Sequence, residues 1–434
     1  MIEESAPKGL RVACADLNGQ MRGKRLAGDQ LAKVEFTGLR MPLSALNVDL
    51  WGDDIVGSPL VFASGDSDGQ LRITDRGPVP MPWLAQDTEL VPMWMFTDDG
   101  RAFAGDPRHA LARVLDRFHR HGWKVVAAME LEFTLLDPSA DPPSPAEGSD
   151  GAGQVLGVEQ IDRFAAVFDE IFDGAAAMGI SVQGAVSEAG PGQFELNLAH
   201  CGAMRMADDA WLTKQLVRGV AHKLGLAATF MAKPVAGQSG NSMHAHVSVF
   251  DRQGRNLFDN GLRSGSGLMH RAIAGCLACM PAATLVFAPW ENSFERITPG
   301  AHAPIGVCWG YENRTTSIRV PGGDPAARRI EHRVPGADAN PYLALAAILG
   351  AMMIGVEDDL TPPEPVIGNA YDQRVLHLPT DWDNAITRFA DSPTMARIFP
   401  QALIENLTAT KRQEQRRMAD LTPEAQLRAT LQGV

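Results

Sequence analysis

Lys124-Val-Val-Ala-Ala-Met-Glu-Leu-Glu-Phe-Thr134 reads as a strand. Side chains alternate between the two faces of a strand, so Glu130 and Glu132 share one face and Met129, Leu131 and Phe133 the other. The apolar face calls for a core. The two carboxylates repel each other unless water or a cation separates them. Taken alone, the polar face fits either a solvated surface or a cation site.

The same alternation recurs downstream. In Ser239-Gly-Asn-Ser-Met-His-Ala-His-Val-Ser-Val249, His244 and His246 lie opposite Met243, Ala245 and Val247. In Ser187-Glu-Ala-Gly-Pro-Gly-Gln-Phe-Glu-Leu-Asn-Leu198, Glu188 and Glu195 flank a tight Gly-Pro-Gly turn. In Arg328-Arg-Ile-Glu-His-Arg-Val-Pro-Gly-Ala-Asp-Ala-Asn-Pro-Tyr342, Glu331 and Arg333 lie opposite Ile330, His332 and Val334. Arg296, Arg314 and Arg319 extend the cationic series, each open to a surface role or to a shared cleft. Together the stretches supply five carboxylates, a histidine pair and four arginines. Oxygen ligands with one imidazole suit magnesium or manganese better than a structural zinc. Arginine suits carboxylate and phosphate, which it grips with two parallel hydrogen bonds. A divalent metal bridging an anionic phosphate is the equipment of phosphoryl transfer.

Around these stretches we expect strands at 124–136, 193–199, 243–250, 314–320 and 329–334. Helices are expected at 158–178, 206–224, 267–288, 340–356 and 400–418. Polar-faced strands backed by helices predict an α+β fold with a curved sheet around a polar site. Residues 8–103 are richer in short β-like runs: a strand at Arg11–Leu17, then turns at Asn18-Gly19, Gly65–Gly69 and Asp98–Gly100. Asp106 as N-cap and Pro107 at the first helical position open a helix through Arg120. The domain boundary is placed just before it, giving 1–104 and 105–434. Residues 137–154, rich in Pro, Gly and Ser, are read as a loop inside the second domain.

A chain of 434 residues suits two or three domains. Its net charge of −13 argues against a nucleic-acid partner but leaves room for ATP. There is neither a standard phosphate loop nor a GxGxxG fingerprint. Met1-Ile-Glu-Glu-Ser lacks the marks of a signal peptide. The longest apolar run, Tyr342–Val356, is too short for a membrane span and reads as a buried helix. Five cysteines do not make a disulfide framework, and Cys276 and Cys279, a lone CxxC, are expected to pack in the core. A cytoplasmic protein without a membrane partner is the expectation.

In their order, these motifs resemble the glutamine synthetase family from residue 10 to about residue 420. The resemblance is carried by Asp16-Leu-Asn-Gly-Gln-Met-Arg-Gly-Lys24, Glu130-Leu-Glu132, Pro191-Gly-Gln-Phe-Glu195 and Met243-His-Ala-His246. Asn292-Ser-Phe-Glu-Arg296, Asn313-Arg314 through Arg319-Val-Pro321, and Glu331-His-Arg333 complete it. It implies a small N-terminal β-grasp domain and a catalytic domain whose curved antiparallel sheet forms a funnel-like β-barrel. It also implies a homo-oligomer, a double-ring dodecamer with active sites between subunits. By resemblance, Glu132, Glu188 and Glu195 hold one Mg2+ or Mn2+, and Glu130, His244 and Glu331 another. His246, Ser248, Arg314 and Arg319 face ATP, with Arg314 also catalytic. Arg296, Arg333, Ser239 and Gly240 hold glutamate. The implied reaction makes γ-glutamyl phosphate, from which an amine displaces phosphate.

The departures concern the amine. The family's Asp-Gly-Ser-Ser latch is missing: the region reads Leu43-Ser-Ala-Leu-Asn-Val-Asp-Leu-Trp-Gly-Asp-Asp54, and Asp49 either takes the latch's place or does not. His302 stands where the family's mobile loop carries the glutamate that accepts a proton from ammonium, so it is a candidate base or a pocket-shaping residue. The stretch from Glu331 to Tyr342 looks most like the γ-glutamylpolyamine synthetase branch. The expectation is an ATP-dependent ligase joining glutamate to an organic amine: a monoamine, diamine or polyamine. Ordinary glutamine synthesis and a catalytically weak sensor paralogue are the alternatives.

Overall fold

The computed structural model describes residues 7–146, 153–301 and 303–434. Six strands form an N-terminal sheet: β1 (Gly9–Ala15), β2 (Met21–Ala27), β3 (Leu39–Pro42), β4 (Asp68–Ile73), β5 (Val79–Pro80) and β6 (Thr88–Phe96). Their order is β2-β1-β6-β4-β3, with β5 paired to β6, and β1 runs parallel to β6. The expected turn joins β1 to β2. Asp16 Oδ1 accepts the amides of Asn18 (2.9 Å) and Gln20 (2.8 Å), and Gly19 takes the positive φ of 80° that the turn requires. Leu10, Val12, Cys14, Leu71, Val91, Met93 and Met95 pack with Val34 of the helix Leu31–Thr37 into a small core of their own. Ala13, Ala15, Leu17 and Leu90 join the main core instead. The N-terminal sheet is therefore bound to the rest of the chain by apolar packing as well as by hydrogen bonds.

The helix Pro107–Arg120 starts as its cap predicts, with Asp106 Oδ1 accepting Arg108 N at 2.8 Å. Beyond it, ten strands form the main sheet: β7 (Lys124–Asp137), β8 (Ser144–Pro145), β9 (Val182–Ser187), β10 (Gln193–Leu198) and β11 (Cys201–Gly202) come first. β12 (Ala227–Thr229), β13 (Met243–Phe250), β14 (Trp309–Tyr311), β15 (Ile318–Val320) and β16 (Ile330–His332) complete it. The path runs β14-β15-β16-β13-β7-β10-β9, with β8, β11 and β12 paired to β7. The result is a barrel-like sheet with two ends, one face on the core and the other around a polar hollow.

The fold corrects the expectation in several places. The sheet is mixed rather than antiparallel, because residues 312–317 carry the chain back so that β15 runs parallel to β14. The strand expected at 314–320 shrinks to Ile318–Val320. Asn313 Oδ1 takes the Thr315 amide (3.0 Å) and hydroxyl (2.6 Å), which spends the preceding residues on a turn. The helix expected at 158–178 breaks at Phe164 (φ −111°, ψ 25°), whose ring packs edge-on against Phe194. Short helices at Trp382–Ala390, Pro393–Ile398 and Pro423–Gly433 were not expected, although Asp381, Ser392 and Thr422 cap them. Within the expected loop 137–154, Ser144–Pro145 pairs with β7, and residues 147–152 lie outside the described residues.

Two apolar helices, Gly267–Phe287 and Pro341–Glu357, cross at the centre of the core. The first has the length and composition of a membrane span, yet 72% of its apolar window is buried within the protein. It remains one helix through Pro281, and Cys276 and Cys279 are buried in it.

Candidate active site

Pairing brings the polar faces together. β10 places Glu195 opposite Glu132, and β13 places His244 opposite Glu130. β16 places Glu331 opposite His246 on one side and Arg319 on the other. Behind them Met129, Leu131, Phe133, Leu196, Met243, Ala245 and Ile330 are wholly buried. A one-residue slip of any of these strands would bury charge and expose core, which fixes the register.

Ligating atoms of Glu132, Glu188 and Glu195 lie within 4.8 Å of one another, and the same holds for Glu130, Glu195 and His244 and for Glu130, His246 and Glu331. His244 Nδ1 is 3.2 Å from Glu130 Oε2 and 3.8 Å from Glu331 Oε1. His246 Nε2 is 3.0 Å from Glu130 Oε1. Glu331 is ion-paired to Arg319 (2.8 Å) and to Arg333.

The electrostatics describe a site shaped for cations. Burial, then the charge of neighbouring Glu188, pushes the Glu132 carboxyl up to about 7. Burial, then Glu130 and Glu132, pushes Glu195 up to about 9. Burial also raises Glu188, with Glu130 adding to the shift and the Arg314 charge opposing it. Burial and the facing Arg333 charge push the His244 imidazole down to about 4, so it is neutral and offers a lone pair. Burial works against ionisation of Glu331, but Arg333 and the two histidines outweigh it and hold the carboxyl at about 2. Three crowded carboxylates and a neutral imidazole make an oxygen-rich donor set that fits a hard divalent cation.

The arginines divide. Arg319 and Arg333 each keep a buried Nε–H with no acceptor among the described residues. Arg314 sits on the exposed turn after Asn313. Arg296 is enclosed: its guanidinium donates to Ser242 Oγ and to the carbonyls of Arg333, Val334 (2.9 Å) and Pro335 (3.1 Å). Ser239 is half-buried beside Gly240, whose carbonyl accepts Gln193 Nε2 at 2.9 Å. A Cβ at Gly240 would lie 2.3 Å from the Ala232 carbonyl, which explains the glycine. Ser248 donates to the Arg328 carbonyl (3.0 Å) and, with Glu130, Asn197, His246, Asn256 and Arg329, lines a cavity of about 490 Å³. His302 lies outside the described residues. Asp49 is fully buried, its carboxylate spent on the amides of Trp51 and Asp53 and on Gln413 and Arg417. Its carboxylate is thus tied to the chain's own C-terminal helix.

Several supporting residues escaped the sequence reading. Gln193 Nε2 donates to Glu132 Oε2 (3.1 Å), Asn197 Nδ2 to Glu195 Oε1 (2.8 Å) and Arg329 Nε to His246 Nδ1 (3.2 Å). Gln193, Glu195 and Asn197 alternate along β10 and share its polar face, so strand alternation marks the support of Glu132 and the support of Glu195 together.

Residues 104–429 match the glutamine synthetase catalytic domain. The chain belongs to the glutamine synthetase family. It is 35% identical to the γ-glutamylputrescine synthetase of Escherichia coli strain K12, over 93% of this chain and 87% of that protein. It is 31% identical to the glutamate–isopropylamine ligase of a Pseudomonas species, over 94% and 92%. A solved structure titled "Apo GmaS without ligand" superposes with a TM-score of 0.85 at 25% identity, covering 98% of this chain and 97% of the other. This family member is an ATP-dependent ligase, and its relatives place it in the γ-glutamyl–amine branch.

The raised carboxyls predict a pH signature for this synthetase when a chelator removes divalent cations. An acid whose pKa rises on folding holds its proton more tightly when folded, so stability declines as pH climbs from the ordinary value towards the folded one. The window runs from 4.5 to about 7 for Glu132 and from 4.5 to about 9 for Glu195. The lowered His244 opposes this trend only up to its ordinary value of 6.5, so the chelated protein should melt at lower temperature at the alkaline end of that window than at pH 6.5. Added Mg2+ should restore more stability at the alkaline end. A melting temperature that rises with pH from 6.5 to the alkaline end would contradict this.

Proposed function

We propose that this protein joins the γ-carboxylate of glutamate to an organic amine, with ATP first converting that carboxylate to γ-glutamyl phosphate. The observation that carries the reading is the carboxylate–imidazole cluster facing Arg319 and Arg333 beside a 490 Å³ cavity. Glu132, Glu188 and Glu195 would hold one Mg2+ or Mn2+, and Glu130, His244 and Glu331 a second. Bound there, the cations would spread the negative charge of the transferring phosphoryl group. Arg314 and Arg319 would receive phosphate oxygens, and His246 and Ser248 line the nucleotide side. Arg333 would turn its free Nε–H towards glutamate, beside Ser239 and the Gly240 backbone. Arg296, bonded to the carbonyls of 333–335, contributes by fixing that segment.

From the family resemblance we also propose that residues 1–104 are a β-grasp domain and 105–434 the catalytic domain. Copies would assemble into a cytoplasmic double-ring dodecamer with active sites between subunits, a mass that light scattering reads directly.

An organic amine is favoured over ammonium because Asp49 is enclosed and because the matched relatives are named for putrescine, isopropylamine and ethanolamine products or substrates. Phosphate release from ATP and glutamate should be roughly tenfold faster or more with the best of a panel of monoamines, diamines and polyamines than with ammonium. Ammonium as the best nucleophile would overturn the reading. His302→Glu should shift preference towards ammonium if position 302 receives the amine's proton.

A further inference from the structure

Residues 366–378 spend their hydrogen bonds on two segments at once, the turn that carries Arg314 and the stretch after residue 302. On one side, Asn313 Nδ2 donates to the Gly368 carbonyl (2.8 Å), and the Ala370 amide donates to Thr315 Oγ1 (2.9 Å). Asn313 and Thr315 flank Arg314 in its turn. On the other side, Val307 N donates to the Leu376 carbonyl (2.7 Å), and Leu378 N donates to that of Ile305 (2.9 Å). Gly306 packs so closely that a Cβ there would lie 2.5 Å from Val375 Cγ2. Between these ties, Asn369 Oδ1 caps a short helical turn, Ala370–Asp372, by accepting Tyr371 N at 3.1 Å. The turn aims the half-buried Tyr371 inwards, where its hydroxyl donates to the Ala303 carbonyl at 2.9 Å. Burial raises the phenol's pKa, with the charges of Arg333 and Arg296 opposing the shift.

We propose that residues 366–378 form a strap that holds the Ala303–Val307 segment and the Arg314 turn in one mutual geometry. Tyr371 is its positioning residue, and coupling of ATP cleavage to amide formation depends on it. The inference rests on the ligase reading above. γ-Glutamyl phosphate is an acyl phosphate, and its carbonyl carbon can be attacked by water as well as by the amine. In the attack by water, a bond forms from carbon to the water oxygen, and the carbon–oxygen bond to phosphate breaks. Glutamate and phosphate leave, with the water protons passing to solvent, so the net change is ATP and water to ADP and phosphate. A site that keeps its parts in place around the intermediate excludes this leak. A strap that ties the phosphate-facing turn to the opposite segment does that without touching substrate.

Tyr371→Phe keeps the ring and removes the tie. The measurement is ADP released per amide formed, with glutamate saturating and the best amine varied. Loss of one such hydrogen bond should raise that ratio, and the KM for the amine, by roughly threefold to tenfold while the melting temperature stays close to wild type. Thr315→Val removes the acceptor of the Ala370 amide at the other end and should raise the ratio in the same direction. A role confined to stability would lower the active fraction and leave the ratio where it is. If Tyr371→Phe does not fold, Asn369→Ala, which removes the cap of the strap's own turn and leaves the bonds within the Arg314 turn in place, decides the matter: a raised ratio supports the strap and an unchanged one overturns it. Folded variants that both couple like the wild type overturn the inference by itself. A wild type that forms no amide with any amine overturns the ligase reading and takes this inference with it.

Discussion

Replacing Glu132 with alanine is expected to lower glutamate- and amine-dependent ATP turnover by more than about a hundredfold, with the fold intact. Removing a partner that only orients a metal ligand costs about 10- to 100-fold, and Glu132 itself stands in the cluster. Its carboxylate lies with those of Glu188 and Glu195 within 4.8 Å, and its Oε2 accepts the Ser242 amide (2.8 Å) and Gln193 Nε2 (3.1 Å). The two sides of its removal oppose each other in stability. Losing the charge relieves repulsion among buried carboxylates, while Ser242 N–H and Gln193 lose an acceptor, at about 1–3 kcal/mol. Glu132→Gln separates them, because it retains an oxygen acceptor and the shape while losing the charge. Both variants should bind Mg2+ and Mn2+ more weakly by titration calorimetry. Turnover near wild type at saturating metal in either variant would remove Glu132 from the metal site.

Gly275→Ala is expected to destabilise the core strongly. The two central helices meet backbone to backbone there. A Cβ on Gly275 would lie 2.0 Å from the Ala351 carbonyl and 2.6 Å from Gly355 N, and one on Gly355 would lie 2.0 Å from the Arg271 carbonyl. No side chain can rotate away, because the obstructing atoms are backbone. The helices must separate, which loosens contacts along the buried length of Gly267–Phe287 and Pro341–Glu357. Overpacking of this kind costs about 3 kcal/mol, at the upper end of its range, and a melting temperature lower by about 5 °C or more follows for a domain of this size. Gly254→Ala is the comparison: a Cβ there meets nothing within 4 Å, and its positive φ of 77° alone sets the cost. A Gly275→Ala protein as stable as wild type would mean that the helices do not touch as described.

Much of the candidate site was legible because alternation along a strand is a local rule. It assigned Glu130 and Glu132, His244 and His246, and Glu331 and Arg333 to polar faces without knowledge of any partner strand. It also reaches Gln193 and Asn197, whose amides attract less notice than a carboxylate. The cap at Asp106 was equally local, needing only a few neighbouring residues. Strand length was less legible: Asn313 delays the start of the expected 314–320 strand to Ile318 through a side-chain hydrogen bond that competes with the ladder.

The chain's composition and local periods thus determined which residues are polar-faced, which helices are buried and where several of them begin. Only the tertiary structure decided which polar faces meet. Glu130 and His244 are far apart in the chain, and they face each other because β13 pairs with β7 in one register. The same holds for Arg296 and Asp49. In sequence both look like charges free to bind a substrate, but the fold encloses the first with the carbonyls of 333–335 and the second with Gln413 and Arg417. A side chain's type is set by its own codon, whereas its free hydrogen-bonding capacity is what remains after residues distant in sequence have taken their share. That remainder depends on long-range packing, which local rules do not encode.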